Sequence, residues 1–253
     1  MSSLAIACVM FACVLVSTLA AMLIARRLPE HHLTGESRDV VKLGLGVIGT
    51  LTALVLGLLV AATKGTYDAQ FGTVKELAAQ IAVLDRALAR YGPEAGEARK
   101  RLRELADAVH VQLWPHDAPA AVDFSGGPSR QAGEAFYDAV AALEPKTDSQ
   151  RLLKSKAQEM TVGLGQLRQR LVVNGERSIP APLLVMLGVW QTALFAGFGL
   201  LAPRNATTIA ILLICMVSVS GALFLVLELD RPFEGMVRLS DTPIRSVISH
   251  LGE

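Results

Sequence analysis

Apolar and polar residues in this 253-residue chain fall into blocks rather than an even mixture. Four blocks are almost wholly apolar: Leu4–Ala25, Leu43–Ala62, Ala181–Ala202 and Ala206–Leu227. None of them holds Asp, Glu, Lys, Arg or His. About 20 residues at a rise of ~1.5 Å cross a hydrocarbon core roughly 30 Å thick. One charge at the bilayer centre costs about 2.5–3.5 kcal/mol on insertion scales, so the four blocks predict lipid-exposed membrane spans. The same lack of charge argues against a proton pump or a transporter with buried ionic groups. For the first block a cleaved signal peptide is the competing reading, but that wants a positive leading segment and a shorter apolar core. Here "MSS" precedes the run and Arg26-Arg27 follow it, so a retained anchor is preferred. Only "PRN" separates the last two blocks, which predicts a tight helical hairpin.

Residues 63–180 form the one large polar segment, and its apolar positions follow helical spacing. Tyr67, Phe71, Val74, Leu77, Ile81, Leu84, Leu88 and Tyr91 recur every three or four residues and make one stripe. No strong breaker separates this stripe from the second span except Gly65. A single long helix is predicted, ended by Gly92-Pro93. A second helix runs from about Glu94 to Trp114 on Leu102, Leu105, Val109 and Leu113, and Pro115 stops it. The Pro-, Gly- and Asp-rich stretch "PHDAPAAVDFSGGPS" reads as a loop. A short helix near Arg130–Leu143 turns Phe136, Ala139, Val140 and Leu143 inward. "TDSQ" at Thr147–Gln150 matches a capping box. The helix it opens carries Leu153, Ala157, Met160, Leu164, Leu167 and Leu171, a rhythm suited to antiparallel packing on the first long helix. The predicted fold is therefore an all-α integral membrane protein. Four transmembrane helices are joined by a helical extramembrane bundle inserted between spans two and three. The expected organisation is a transmembrane hairpin over 1–62, the helical domain over 63–180, a second hairpin over 181–227 and a polar tail over 228–253.

Composition agrees: 52% of residues are hydrophobic and 19% charged, against about 25% charged in soluble domains. A net charge of +1 gives no global basic field, so no nucleic-acid partner is expected. Cys8, Cys13 and Cys215 lie inside apolar runs with no C-x-x-C spacing and read as small buried hydrophobes. Gly44, Gly46 and Gly49 match G-x-G-x-x-G, and Asp68 lies about 20 residues further on, as a dinucleotide fingerprint requires. That site also needs a buried strand before the glycines and a surface helix after them. The polar "HHLTGESRDVVK" and a long apolar run stand there instead, so no cofactor is expected. Gly49, Ala53, Gly57 and Ala61 recur every four residues on one helix face, where small side chains let another helix approach closely. Ile48, Leu51, Val55 and Leu59 give the roughly opposite face its bulk.

No catalytic constellation emerges. His31, His32, His110, His116 and His250 show no metal-ligand spacing, no nucleophile motif is present, and "EARKRLRELAD" reads as a solvated helical face. An enzyme is not expected, nor a bound metal. Glu228, Asp230 and Glu234 cluster where the fourth span meets water, but three carboxylates fall short of the six to eight oxygens that calcium takes. Beyond them "SDTPIRSVISHL" predicts a short amphipathic helix with Ile244, Val247, Ile248 and Leu251 on one side. That side suits either the polar domain or the membrane surface.

The histidine pair, the glycine-bearing span, "GTYDAQFGTVKELA", Trp114 and the closing "LELDRPFEG" occur in an order that resembles the bestrophin-like domain family of bacterial and plastid membrane proteins. Bestrophins are pentameric anion channels whose second span lines a hydrophobic neck extended by a helical cytoplasmic region. The resemblance implies a lipid-embedded homo-oligomer, a pentamer, passing chloride or another small anion, with Ile48, Leu51, Val55 and Leu59 lining the neck and Gly49, Ala53, Gly57 and Ala61 packing helices. The chain departs from bestrophins in lacking a run of acidic calcium ligands and in having few aromatics near the neck, which puts calcium gating and conventional anion selectivity in doubt. Two functions stay open: an oligomeric anion channel, and a non-conducting scaffold or signalling adaptor whose helical domain binds a partner. Orientation also stays open. Arg26, Arg27, Arg38, Lys42 and Arg204 would place the short loops in the cytoplasm by the positive-inside rule. The resemblance instead places the helical domain and both termini there, in a bacterial inner membrane, and Lys64, Lys75, Arg168, Arg170 and Arg177 flank that domain, so this second orientation is preferred.

Overall fold

The computed structural model describes residues 2–27, 35–114, 127–174, 179–203, 205–233 and 235–252. Eight α-helices occur among them: α1 (Ser3–Ile24), α2 (Gly35–Tyr91), α3 (Gly96–Leu113), α4 (Pro128–Ala141), α5 (Asp148–Asn174), α6 (Ala181–Leu201), α7 (Ala206–Leu229) and α8 (Thr242–His250). No strand is present among the described residues. The chain divides into two compact units, Met1–Gly65 with Arg177–Asp230, and Thr66–Glu176 with Arg231–Glu253.

In the first unit, α1, α6, α7 and part of α2 are long and apolar enough to cross a membrane. Asn205 caps α7 by accepting from the Thr208 amide at 2.8 Å. α1 packs on both α6 and α7. Small apolar groups form here: Val14, Phe195, Leu212 and Met216 in one, Leu59, Ile179, Leu187 and Val226 in another. Hydroxyls in the spans bond their own helix. Thr18, Thr52, Thr63 and Thr192 donate to the carbonyls of Val14, Ile48, Leu59 and Gly188, which satisfies them without water.

The second unit has one continuous core. The stripe of α2 from Val74 to Tyr91 is buried there with Leu102, Leu105, Val109 and Leu113 of α3, Phe136 and Val140 of α4, and Ala157, Leu164, Leu167 and Leu171 of α5. α2 stops at Tyr91 because Gly92 adopts φ +123°, a region open to glycine and strained for L side chains. A 3-10 turn, Pro93–Ala95, leads into α3. α5 runs antiparallel to α2: Gln150 Nε2 donates to the Tyr91 carbonyl at 3.0 Å, and further along Gly163 faces Gln80. The Thr147 hydroxyl accepts from the Gln150 amide at 3.2 Å, while the Gln150 side chain accepts from the Lys146 amide at 2.8 Å, one residue earlier than a standard capping box places it. Of the two surfaces open to the amphipathic α8, it takes the polar one: Ile244 and Leu251 are buried in this core, with Val247 and Ile248 packed against it.

Candidate functional site

The membrane part of α2 buries a narrow stripe. Leu45, Thr52, Leu59 and Thr63 face other helices of the first unit. Leu59 is 8% exposed, against Ile179, Leu187 and Val226; Val55 packs on the same group and Ile48 is half-buried. Leu51 differs, at 43% exposed. The four bulky residues expected to share a neck therefore differ in exposure: Val55 and Leu59 pack on the protomer's own helices, Ile48 is half-buried and Leu51 is exposed. Leu51 instead joins Val47, Leu54 and Leu58, all exposed, at helical spacing. The small residues separate too. Gly49 abuts Leu194, so that a Cβ there would sit 3.3 Å from its Cδ1. Ala53, Gly57 and Ala61 are exposed, and with Gly46 and Thr50 they make a low strip beside the exposed leucines. The outer face of this span is thus a ridge of leucine and valine beside a channel of small residues, free of charge from Leu43 to Thr63. At its polar edge Lys42 Nζ donates to Asp39 at 2.9 Å, both exposed.

Close helix contacts within the protomer use glycines of α6 that the sequence reading passed over. A Cβ on Gly199 would lie 2.5 Å from the Thr18 carbonyl oxygen of α1. On Gly197 it would overlap the Leu45 side chain of α2, and on Gly188 it would lie 3.1 Å from Met10 of α1. Their irregular spacing hid them, since they serve two partner helices at once. Gln191 was also missed. It lies mid-way along α6, 1% exposed, and neither its amide oxygen nor its nitrogen makes a hydrogen bond among the described residues. A lone amide in an uncharged block was its available signal.

The expectation of buried cysteines is corrected: Cys8, Cys13 and Cys215 are all exposed free thiols on α1 and α7. Those helices are apolar around their whole circumference, so composition could not separate inner from outer positions. Glu228 and Asp230 are buried at the end of α7. Glu234, His31, His32, His116, Arg177 and Arg204 lie outside the described residues.

Several motif residues meet in the second unit. Trp114 Nε1 donates to the Leu239 carbonyl at 2.8 Å, its ring stacks on His110 at 5.6 Å and meets Phe233 edge-on at 5.9 Å. Tyr67 Oη reaches the Arg238 carbonyl at 3.5 Å. His110 Nε2 lies 3.1 Å from Asp241, which Arg245 also holds at 2.6 Å. The hydrogen bond from His110, with Arg245 adding to it, keeps the Asp241 carboxyl below the usual carboxylate range against the opposing effect of burial. This arrangement seats the C-terminal segment on α3.

Four uncharged spans with an all-helical polar unit between the second and third define an all-α integral membrane protein. The bestrophin-like domain matches residues 12–244, and the chain belongs to that family. The fold is similar to that of a bacterial bestrophin homologue from Klebsiella pneumoniae. A crystal structure of its tryptophan-to-alanine variant superposes with a TM-score of 0.71 at 14% identity, covering 99% of this chain and 97% of that one. A tyrosine-to-alanine variant gives 0.70 at 13% identity, covering 98% and 99%. No curated protein matches.

Proposed function

We propose that the protein is a homo-oligomeric membrane channel for small anions, assembled as a pentamer, with the exposed face of α2 turned to the central axis. The observation that carries this reading is the sidedness of α2: its inner stripe is filled by its own protomer, and its outer face carries Val47, Leu51, Leu54 and Leu58 with no charge. Copies of α2 meet through the small strip of Ala53, Gly57 and Ala61. The leucine ridge then forms an apolar constriction of the kind that gates by dewetting. Leu51 keeps the neck role that the sequence suggested; Ile48, Val55 and Leu59 yield it to Leu54 and Leu58, because their bulk packs inside the protomer. Membership in the family and the bestrophin-homologue fold support the same assignment. The helical unit and both termini face the cytoplasm in this reading.

Planar-bilayer recording of purified protein tests it. With the native cysteines replaced, a bulky thiol reagent is expected to block the current at Leu51→Cys, Leu54→Cys and Leu58→Cys and to leave Val55→Cys and Leu59→Cys untouched. A monomer in mild detergent, or block at position 59 without block at 51, rejects this geometry. An oligomer that carries no current supports the scaffold instead, a reading favoured by the absence of a charged ring along the span.

A further inference from the structure

Between α2, α3, α4 and α5 of the second unit lies a cavity of about 340 Å³. Small-molecule sites span about 300–1,000 Å³, so this one suits a compact ligand. Leu77, Ile81, Leu105, Val109, Phe136 and Leu164 give it an apolar lining. Arg168, Arg130, Ser129 and Glu134 also line it and supply polar groups.

Arg168 is the group that needs explanation. It is half-buried, and Nε donates to the Ser129 hydroxyl at 3.0 Å. Ser129 is 1% exposed and donates in turn to Gln112, so its lone pair is fixed toward the guanidinium. No carboxylate lies within ion-pair distance of Arg168 among the described residues. Glu134 shares the cavity but is bonded to Arg130 at 3.0 Å on the exposed rim. Burial, and then the like charge of Arg130, pull the Arg168 pKa down while Glu134 opposes them. A partly desolvated cation with no carboxylate in ion-pair contact among the described residues is costly, and an arriving anion lowers that cost. The planar fork of arginine fits a carboxylate through two parallel bonds. The cavity holds two guanidiniums and one carboxylate, an excess of one positive charge, which matches a monoanion; Glu134 disfavours a dianion.

We propose that this cavity binds a medium-chain alkyl carboxylate, its head on Arg168 beside Ser129 and its chain along Leu77, Ile81, Leu105, Phe136 and Leu164. The site lies in the polar unit and its occupancy is independent of ion conduction. Gly165 lines the cavity, and a Cβ added there would meet nothing within 4 Å, which leaves room for a larger side chain to occupy the space.

Calorimetric titration of the full-length protein in lipid nanodiscs with octanoate, blanked against empty nanodiscs, tests the assignment. Saturable binding at one site per protomer is expected. Acetate, which lacks the chain, and octanol, which lacks the charge, should each bind at least about tenfold more weakly, as should octanoate to Arg168→Gln. Gly165→Leu fills the space and exchanges a helix-weakening glycine for a strong helix former. It should abolish binding without lowering the melting temperature. Absence of saturable heat in the wild type, equal affinity for octanol, or undiminished binding by Gly165→Leu overturns the proposal.

Discussion

The two units hold their helices together by different means. In the polar unit, large side chains fill one core and the surface carries ion pairs such as Lys156–Glu159 at 2.9 Å. Water drives this: the stripes of α2, α3 and α5 associate because apolar surface leaves solvent. In the membrane unit the outer surface is as apolar as the inner one, with Leu43, Val185 and Ile214 each more than 60% exposed. Lipid offers no comparable reward for burying a leucine. Contact there rests on close approach, through Gly199 against the Thr18 carbonyl and Gly197 against Leu45. Stability in one unit should therefore follow the volume of what is buried, and in the other the absence of volume where backbones meet.

The sharpest test of that contrast is Gly199→Leu. Its first added carbon meets a backbone carbonyl at 2.5 Å. Overpacking commonly costs about 1–3 kcal/mol, and here a main chain must move, so the effect should reach or exceed that range. Loss of monodisperse protein on gel filtration after mild extraction is the expected result; a normal profile would break the comparison. Comparable in size is Leu102→Ala in the polar unit, where the side chain is fully buried. A loss of about 2–5 kcal/mol is expected, read as a fall in thermal stability. Leu51→Ala in the span should leave the protomer's stability almost unchanged.

The same contrast explains what the sequence made legible. Every residue of the α2 stripe from Tyr67 to Tyr91 lies in or against the polar core, because in an amphipathic helix periodicity reports the buried face. The presence of four spans was also readable, from length and lack of charge. Which side of a span faces inward was not. Ile48, Leu51, Val55 and Leu59 are equally apolar and only packing distinguishes them, so Leu51 parts from the others in the fold. The cysteines were misplaced for the same reason. In the sequence Arg168 is one of several cations flanking the polar domain; its place in a cavity comes from Ser129 and Gln112, distant in sequence and brought to it by the fold.

A gain of stability should separate the units further. Gln191 is buried in α6 without a hydrogen bond among the described residues. Gln191→Leu should stabilise the protein by on the order of 1 kcal/mol, the low end for an unsatisfied buried amide. A fall in melting temperature instead would mean that Gln191 finds a partner in the assembled oligomer. A pH-dependent effect belongs to Asp241. Its carboxyl titrates below the ordinary range when folded, so its contribution is complete at neutral pH and is lost as pH falls through that depressed value. Hydrogen exchange in α8 should therefore rise on acidification below the carboxylate range in the wild type. Asp241→Asn should exchange faster at neutral pH and respond less to acid.

The three exposed thiols give the protein built-in reporters of its surroundings. Cys8, Cys13 and Cys215 stand on the outer faces of α1 and α7. A spin label on each would sample oxygen, nickel chelate or the label of a neighbouring copy, according to whether acyl chains, water or protein lies alongside. Spectral broadening by dipolar coupling would identify a subunit seam, and oxygen-enhanced relaxation would identify hydrocarbon. The same thiols would compete for any reagent aimed at an engineered cysteine in α2, so a scan of that helix has to start from a background in which all three are replaced.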